Sequence, residues 1–124
     1  MSCLDTSVII GILKGDLRIR DFVVSHSKNG MVSTTSITEY ELLRHSDMIK
    51  KDAAQQLLSK LAIYPFDSKA ASKAAAIYAY LKGKGTMINE NDIMIAAIAL
   101  ANGEALITKD KDFEQINSGG IMIV

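Results

Sequence analysis

Met1-Ser2-Cys3-Leu4-Asp5-Thr6-Ser7-Val8-Ile9-Ile10-Gly11-Ile12-Leu13 decides the reading of this chain. A short apolar run delivers an acid into a turn, and a helical pattern begins at once. A strand this apolar suits the middle of a parallel sheet whose two faces are both covered. In such sheets ligands bind beyond the carboxyl ends of the strands, which makes Asp5 the floor of a candidate site. Thr6 and Ser7 can cap the helix that follows. On this stretch alone Asp5 is equally well explained as a helix-start acid favoured by the helix dipole.

Working outward, Gly15-Asp16 reads as a stop and restart, and Leu17, Ile19, Phe22 and Val23 give a short second helix its apolar stripe. Ser25 to Gly30 reads as a polar turn and Met31 to Thr34 as the second strand. Ser36-Ile37-Thr38-Glu39 has the form of a capping box opening a helix. His45 to Asp52 is expected to be an exposed polar elbow, followed by a helix over Ala53 to Leu61. Ala62 to Phe66 reads as a third strand, placed at a sheet edge because Pro65 has no N–H to donate. Asp67-Ser68 caps a long alanine-rich helix, Lys69 to Leu81, closed by Gly83 and Gly85. The basic turn Lys82-Gly83-Lys84-Gly85-Thr86 lacks the spacing of a phosphate loop. Ile93 to Ala101 is nine apolar residues in a row, a buried helix that Asp92 is expected to open. Ala105 to Thr108 is the fourth strand, Lys109 to Phe113 another strand-to-helix turn, and Ile121 to Val124 a closing edge strand.

At 124 residues the expectation is one α/β domain, 1–124. Fourteen basic and fourteen acidic residues exclude the strong positive field of a bulk DNA coater. Balance leaves nucleic acid open, because gathering four acids at a cation leaves fourteen bases against ten acids elsewhere. The lone Cys3 excludes a disulfide framework and reads as a small core residue. No signal peptide or membrane span is apparent, so a soluble cytoplasmic protein is expected.

Four acids fall at equivalent places: Asp5 after the first strand, Glu39 in the helix after the second, Asp92 opening the buried helix, and Asp110 after the fourth strand. In a parallel sheet these places share one rim. Carboxylates gathered there repel by about 4 kcal/mol per pair at about 4 Å and an effective dielectric near 20. A cation relieves that repulsion. An all-oxygen donor set without paired His or Cys suits Mg²⁺ or Mn²⁺ rather than zinc. Taken singly, each acid also has an ordinary role: Glu39 in the capping box, Asp92 as a helix-start acid, Asp110 and Asp112 in a solvated loop.

The segments Leu4-Asp5-Thr6-Ser7-Val8-Ile9, Ser36-Ile37-Thr38-Glu39-Tyr40-Glu41-Leu42, Asn91-Asp92-Ile93-Met94-Ile95-Ala96-Ala97-Ile98-Ala99 and Leu106-Ile107-Thr108-Lys109-Asp110-Lys111-Asp112-Phe113 resemble the PIN domain, most closely its short VapC-type toxins. The resemblance spans essentially the whole chain. It implies a PIN-like three-layer sandwich, with helices on both faces of a mostly parallel sheet of four or five strands. It further implies a metal-dependent endoribonuclease, paired with an antitoxin. The family's acidic quartet falls on Asp5, Glu39, Asp92 and Asp110. Asp5, Asp92, Asp110 and Asp112 are then the expected metal ligands, Glu39 the residue that ligates or orients the water, and Thr6, Thr108 and Lys109 the supporting or phosphate-contacting groups. The family's small residue beyond the glutamate is replaced here by Arg44 or His45.

A stand-alone nuclease and a non-catalytic module of the same fold share these features. Aspartyl-phosphate enzymes fit less well: a haloacid-dehalogenase-type phosphatase needs an acid where Ser7 stands, and a receiver domain needs an adjacent acidic pair. The expected partners are RNA, an antitoxin docking near Ile9, Leu13, Leu17 and Leu43, and a second copy joined through the helices that begin at Ser36 and Asp67.

Overall fold

The structure, a computed structural model, describes residues 2–27, 30–116 and 119–124. Five strands form one sheet: β1 (Ser2–Leu4), β2 (Val32–Thr35), β3 (Ala62–Tyr64), β4 (Ala105–Thr108) and β5 (Ile121–Ile123). Their order is β3-β2-β1-β4-β5, and every neighbouring pair is parallel. β1 is therefore central, as its apolar sequence predicts, and β3 is an edge that ends just before Pro65.

Six α-helices alternate with the strands: α1 (Thr6–Leu13), α2 (Leu17–His26), α3 (Ser36–Leu43), α4 (Met48–Leu58), α5 (Ser68–Gly83) and α6 (Glu90–Ala101). A 3₁₀ helix covers Lys111–Gln115. Side chains of a strand alternate between faces, and each face of β1 and β4 feeds a separate core. Cys3 and Leu106 pack with α5, α6, Phe113 and Ile116 on one side. Leu4 and Ile107 pack with α1, α2, Leu42 and α4 on the other. The result is three layers with helices on both faces.

α6 is buried on nearly every side, with Ile93 buried and the run Ile95 to Ala99 out of contact with water. It fills the space between the sheet and α5, whose stripe of Ala70, Ala74, Ile77 and Leu81 is its buried face. Small alanines let the two helices approach closely. Gly103 then turns the chain into β4 with φ +67°, a conformation that a side chain disfavours. Burial pushes the Cys3 thiol up to about 12, so it is an inert core group.

Several boundaries differ from the sequence reading. α2 continues through Ser25 to His26, where the His26 ring stacks on Phe22; the remainder of the expected turn, 28–29, lies outside the described residues. The expected elbow at His45 to Asp52 is mostly the start of α4, capped by Asp47, whose carboxylate accepts from the Ile49 and Lys50 amides. The polar residues there are the solvent face of a helix that buries only Ala54 and Leu58.

Candidate active site at the carboxyl edge of the sheet

Asp5 follows the central strand and occupies the N-cap position of α1, yet its side chain makes no capping bond. The carboxylate instead turns inward, 3% exposed. Its Oδ2 accepts from Thr108 Oγ1 at 2.7 Å and from Ser7 Oγ at 2.9 Å. Its Oδ1 is buried with no hydrogen-bond partner. A capping acid would have satisfied helix amides, and an unpaired buried carboxylate oxygen is costly, so the ordinary reading of Asp5 fails. Burial pushes its pKa upward, against the lowering effect of the Thr108 and Ser7 hydroxyls.

Thr108 ends β4, the strand beside β1, and its hydroxyl also accepts from the Asp110 amide at 3.0 Å. Asp110 caps the 3₁₀ helix through an Oδ1 bond from the Asp112 amide at 2.9 Å, so its structural role is real and engages that one oxygen. Ser7 Oγ receives the Lys109 amide at 3.1 Å. Lys109 contributes its backbone here while its side chain is exposed.

Asp92 does not open α6. Asn89 is the cap, accepting from the Asn91 amide at 2.8 Å, and Asp92 is the third residue of the helix. That leaves its carboxylate free, at the positive end of the helix dipole. Even so its pKa is pushed up to about 7, by burial first and then by the charges of Asp5, Asp110, Glu41 and Asp112. Those four acids and Asp92 form one electrostatic cluster.

The acid that α3 turns toward this cluster is Glu41, not the expected Glu39. Thr35, rather than Ser36, caps α3 by accepting from the Thr38 amide at 3.1 Å, so the capping box does not form. Thr38 and Glu41 then share a helix face, three residues apart. Thr6 Oγ1 lies 3.0 Å from Thr38 Oγ1 and donates to Glu41 Oε1 at 2.7 Å. Glu39, two residues earlier, projects to another side of the helix, since successive residues turn by about 100°. The Thr6 hydroxyl thus serves Glu41, while its backbone amide acts on Asp5 and lowers that carboxyl's pKa. Ser7 is the other residue the sequence reading missed, and its spacing of two from Asp5 at a helix start was the available signal.

The donors fit a hard divalent cation: all are oxygens, one buried carboxylate oxygen is unpaired, and burial and neighbouring carboxylates push the pKa of Asp92 and Asp5 upward. Among the described residues no three His, Cys, Asp or Glu side chains converge as a ready coordination cage.

Comparison with known proteins agrees with this architecture. The sequence matches the family profile of the PIN domain over residues 2–118. Ribonuclease VapC2 of Haemophilus influenzae is 32% identical over 120 residues, covering 91% of this chain and 89% of that protein. A chain in the DNA-bound VapBC2 complex of Rickettsia felis superposes with a TM-score of 0.87 at 23% identity, over 99% of this chain and 98% of that one. One in the DNA-bound VapBC complex of Salmonella typhimurium gives 0.80 at 28% identity, over 100% and 98%. A central parallel sheet, an acid-lined carboxyl edge and these matches over nearly the full length lead to one conclusion: the chain belongs to the PIN domain family, in its VapC ribonuclease branch.

Proposed function

We propose that the chain is a divalent-metal-dependent endoribonuclease that acts in the cytoplasm as the toxin of a toxin–antitoxin pair. The observation that carries the metal reading is Asp5: a buried carboxylate in a cap position that does not cap, with one oxygen held by two hydroxyls and the other unpaired. Asp5 Oδ1, Asp92 and Asp110 are the groups suited to hold Mg²⁺ or Mn²⁺, with Asp112 alongside. When bound, such an ion lowers the pKa of a water and offsets charge on a scissile phosphate.

The chain's own groups supply the rest. Thr108 and Ser7 fix the Asp5 carboxylate so that its Oδ1 points in one direction. Thr6, itself bonded to Thr38, holds Glu41, and Glu41 takes the water-orienting role that the sequence reading gave to Glu39. Lys109 and Lys111 stand exposed beside Asp110, placed to meet a phosphate backbone.

An antitoxin has a suitable seat. A largely apolar groove of about 500 Å³ is lined by Ile10, Leu13, Leu42 and Ile49, with Thr6 and Glu41 and the basic Lys14 and Lys50 also in its wall. Ile9, expected on this face, is core, and Ile10 takes its place; Leu43 packs inward as well. A bound segment could send an arginine from this groove to the carboxylates. Purified protein should cleave single-stranded RNA with Mg²⁺ or Mn²⁺ and stop in EDTA. Cleavage undiminished by excess chelator refutes the metal reading; activity unaffected by the product of any adjacent gene that binds the protein refutes the antitoxin reading.

A further inference from the structure

The basic turn after α5 has no phosphate-loop spacing, but its place in the fold suggests another use. From Ser68 to Asn89 the chain has four lysines, Lys69, Lys73, Lys82 and Lys84, and no acid. The other residues carry ten basic against fourteen acidic side chains. Positive charge is therefore concentrated on the outermost helix and the turn beyond it.

The lysines are not scattered evenly. With Ala70, Ala74, Ile77 and Leu81 turned to the core, Lys69, Lys73, Tyr80 and Lys84 follow one flank of α5, since steps of four, seven and four return to nearly the same side of a helix. All four are exposed. They span about 22 Å at a rise of about 1.5 Å per residue. No acid on α5 stands within helical reach of Lys73 or Lys84 to neutralise it.

The two ends of this flank are anchored differently. Lys84 Nζ sits 5.0 Å from the centroid of the Tyr80 ring and donates to the Gln115 carbonyl at 2.8 Å. Gln115 closes the 3₁₀ helix that Asp110 caps, so this bond ties the head of the flank to the element that carries Asp110 and Asp112. At the other end Lys69 and Lys73 border an open hollow of about 1020 Å³, whose opposite wall is Leu100 to Gly103.

We propose that this flank of α5 is a track for single-stranded RNA leading away from the acid cluster, with its ammonium groups on backbone phosphates and Tyr80 offering a ring to a base. The inference rests on the nuclease reading and adds a substrate path to it. Charge complementarity selects a polyanion. The exposed ring beside the lysines selects an unpaired strand, because a base already stacked in a duplex cannot use it. Tyr78 and Lys82 lie on the other flank and are not part of the track.

The test is fluorescence anisotropy of the full chain with a labelled single-stranded RNA of about thirty nucleotides, in EDTA, across a KCl series. Each phosphate contact with a single strand contributes about 0.7 to the slope of log affinity against log salt. Lys73→Gln combined with Lys84→Gln should therefore lower that slope by about 1.4 and weaken binding at least about fivefold. Lys69→Gln combined with Lys73→Gln should do the same while leaving the Lys84 to Gln115 bond intact. Tyr80→Leu should weaken binding with no change in slope. A charge-matched control, Lys51→Gln combined with Lys60→Gln on the other face, should bind as the wild type does. Track variants that bind as the wild type, or no worse than the control, overturn the track while wild-type cleavage leaves the nuclease reading standing. A wild-type protein that needs these lysines for RNA but cleaves none with Mg²⁺ or Mn²⁺ overturns the nuclease reading and supports the track as a binding surface.

Discussion

Asp92→Asn separates a functional acid from a structural one. The Asp92 pKa is pushed up to about 7 from an ordinary 3.8. At about 1.36 kcal/mol per unit, that displacement has a ceiling of about 4 kcal/mol. Asp92 is only partly buried, and solvent screens the repulsion, so the usable fraction is about 1–2 kcal/mol. A carboxyl group whose pKa is raised on folding binds its proton more tightly in the native state. The wild-type penalty is therefore absent below about pH 3.8, grows as pH rises toward 7, and is constant above it. In EDTA at pH 8 the Asp92→Asn protein should melt about 3–8 °C above the wild type, and the two should converge near pH 4. Mg²⁺ should raise the wild-type midpoint and narrow the gap, because binding to the native state alone stabilises it. RNA cleavage should fall at least about a hundredfold. A variant that is less stable at every pH, with activity per folded molecule unchanged, refutes the reasoning and returns Asp92 to a purely structural role.

Glu41→Gln should lower cleavage at least about tenfold at unchanged RNA affinity, whereas Glu39→Gln should stay within about twofold; the reverse order would restore the acid expected from the sequence. Thr108→Val removes the 2.7 Å bond to Asp5 and the acceptor of the Asp110 amide, and should cost about 2 kcal/mol in urea melts at pH 8. A loss under about 0.5 kcal/mol would show that the hydroxyl does not hold the carboxylate. Sedimentation at micromolar concentration should find a homodimer, since Tyr40, Phe66 and Tyr78 are large exposed side chains on and beside α3 and α5. A monomer that persists at that concentration would count against the second copy.

The layers and the position of β1 were legible because both rest on burial. An apolar strand with no alternation and a helix with nine consecutive apolar residues have only one kind of place in a small α/β fold. The places of Asp5 and Asp110 after the central strands, and of Asp92 in the first turn of the buried helix, were legible in the same way. The phase of α3 was harder to read, because two acids stand two residues apart on a helix of eight residues. Which of them faces Asp5 depends on the helix phase, set by whether Thr35 or Ser36 is the cap, and both are good caps. Choosing Ser36 made Glu39 the partner of the capping box; the buried hydroxyl of Thr38, reaching Thr6, turns Glu41 inward instead. The start of α4 was missed for a related reason, because a helix that buries little of its surface carries almost no apolar period through its first turns.

The bond between Thr108 and Asp5 joins residues 103 apart in the chain. β1 leaves the ribosome before either strand it pairs with, β2 on one side and β4 on the other, and β4 follows it by about a hundred residues. At about 5–20 residues per second, several seconds separate translation of Asp5 from that of the hydroxyl that positions it. Pairing across so long a loop is also slow to form. The nascent chain is thus a poor nuclease until β4 has been made and has paired with β1. Fragments ending before Ala105 should be harmless when expressed, and a cell translating this message has an interval in which a binding partner can meet the polypeptide before it can cut.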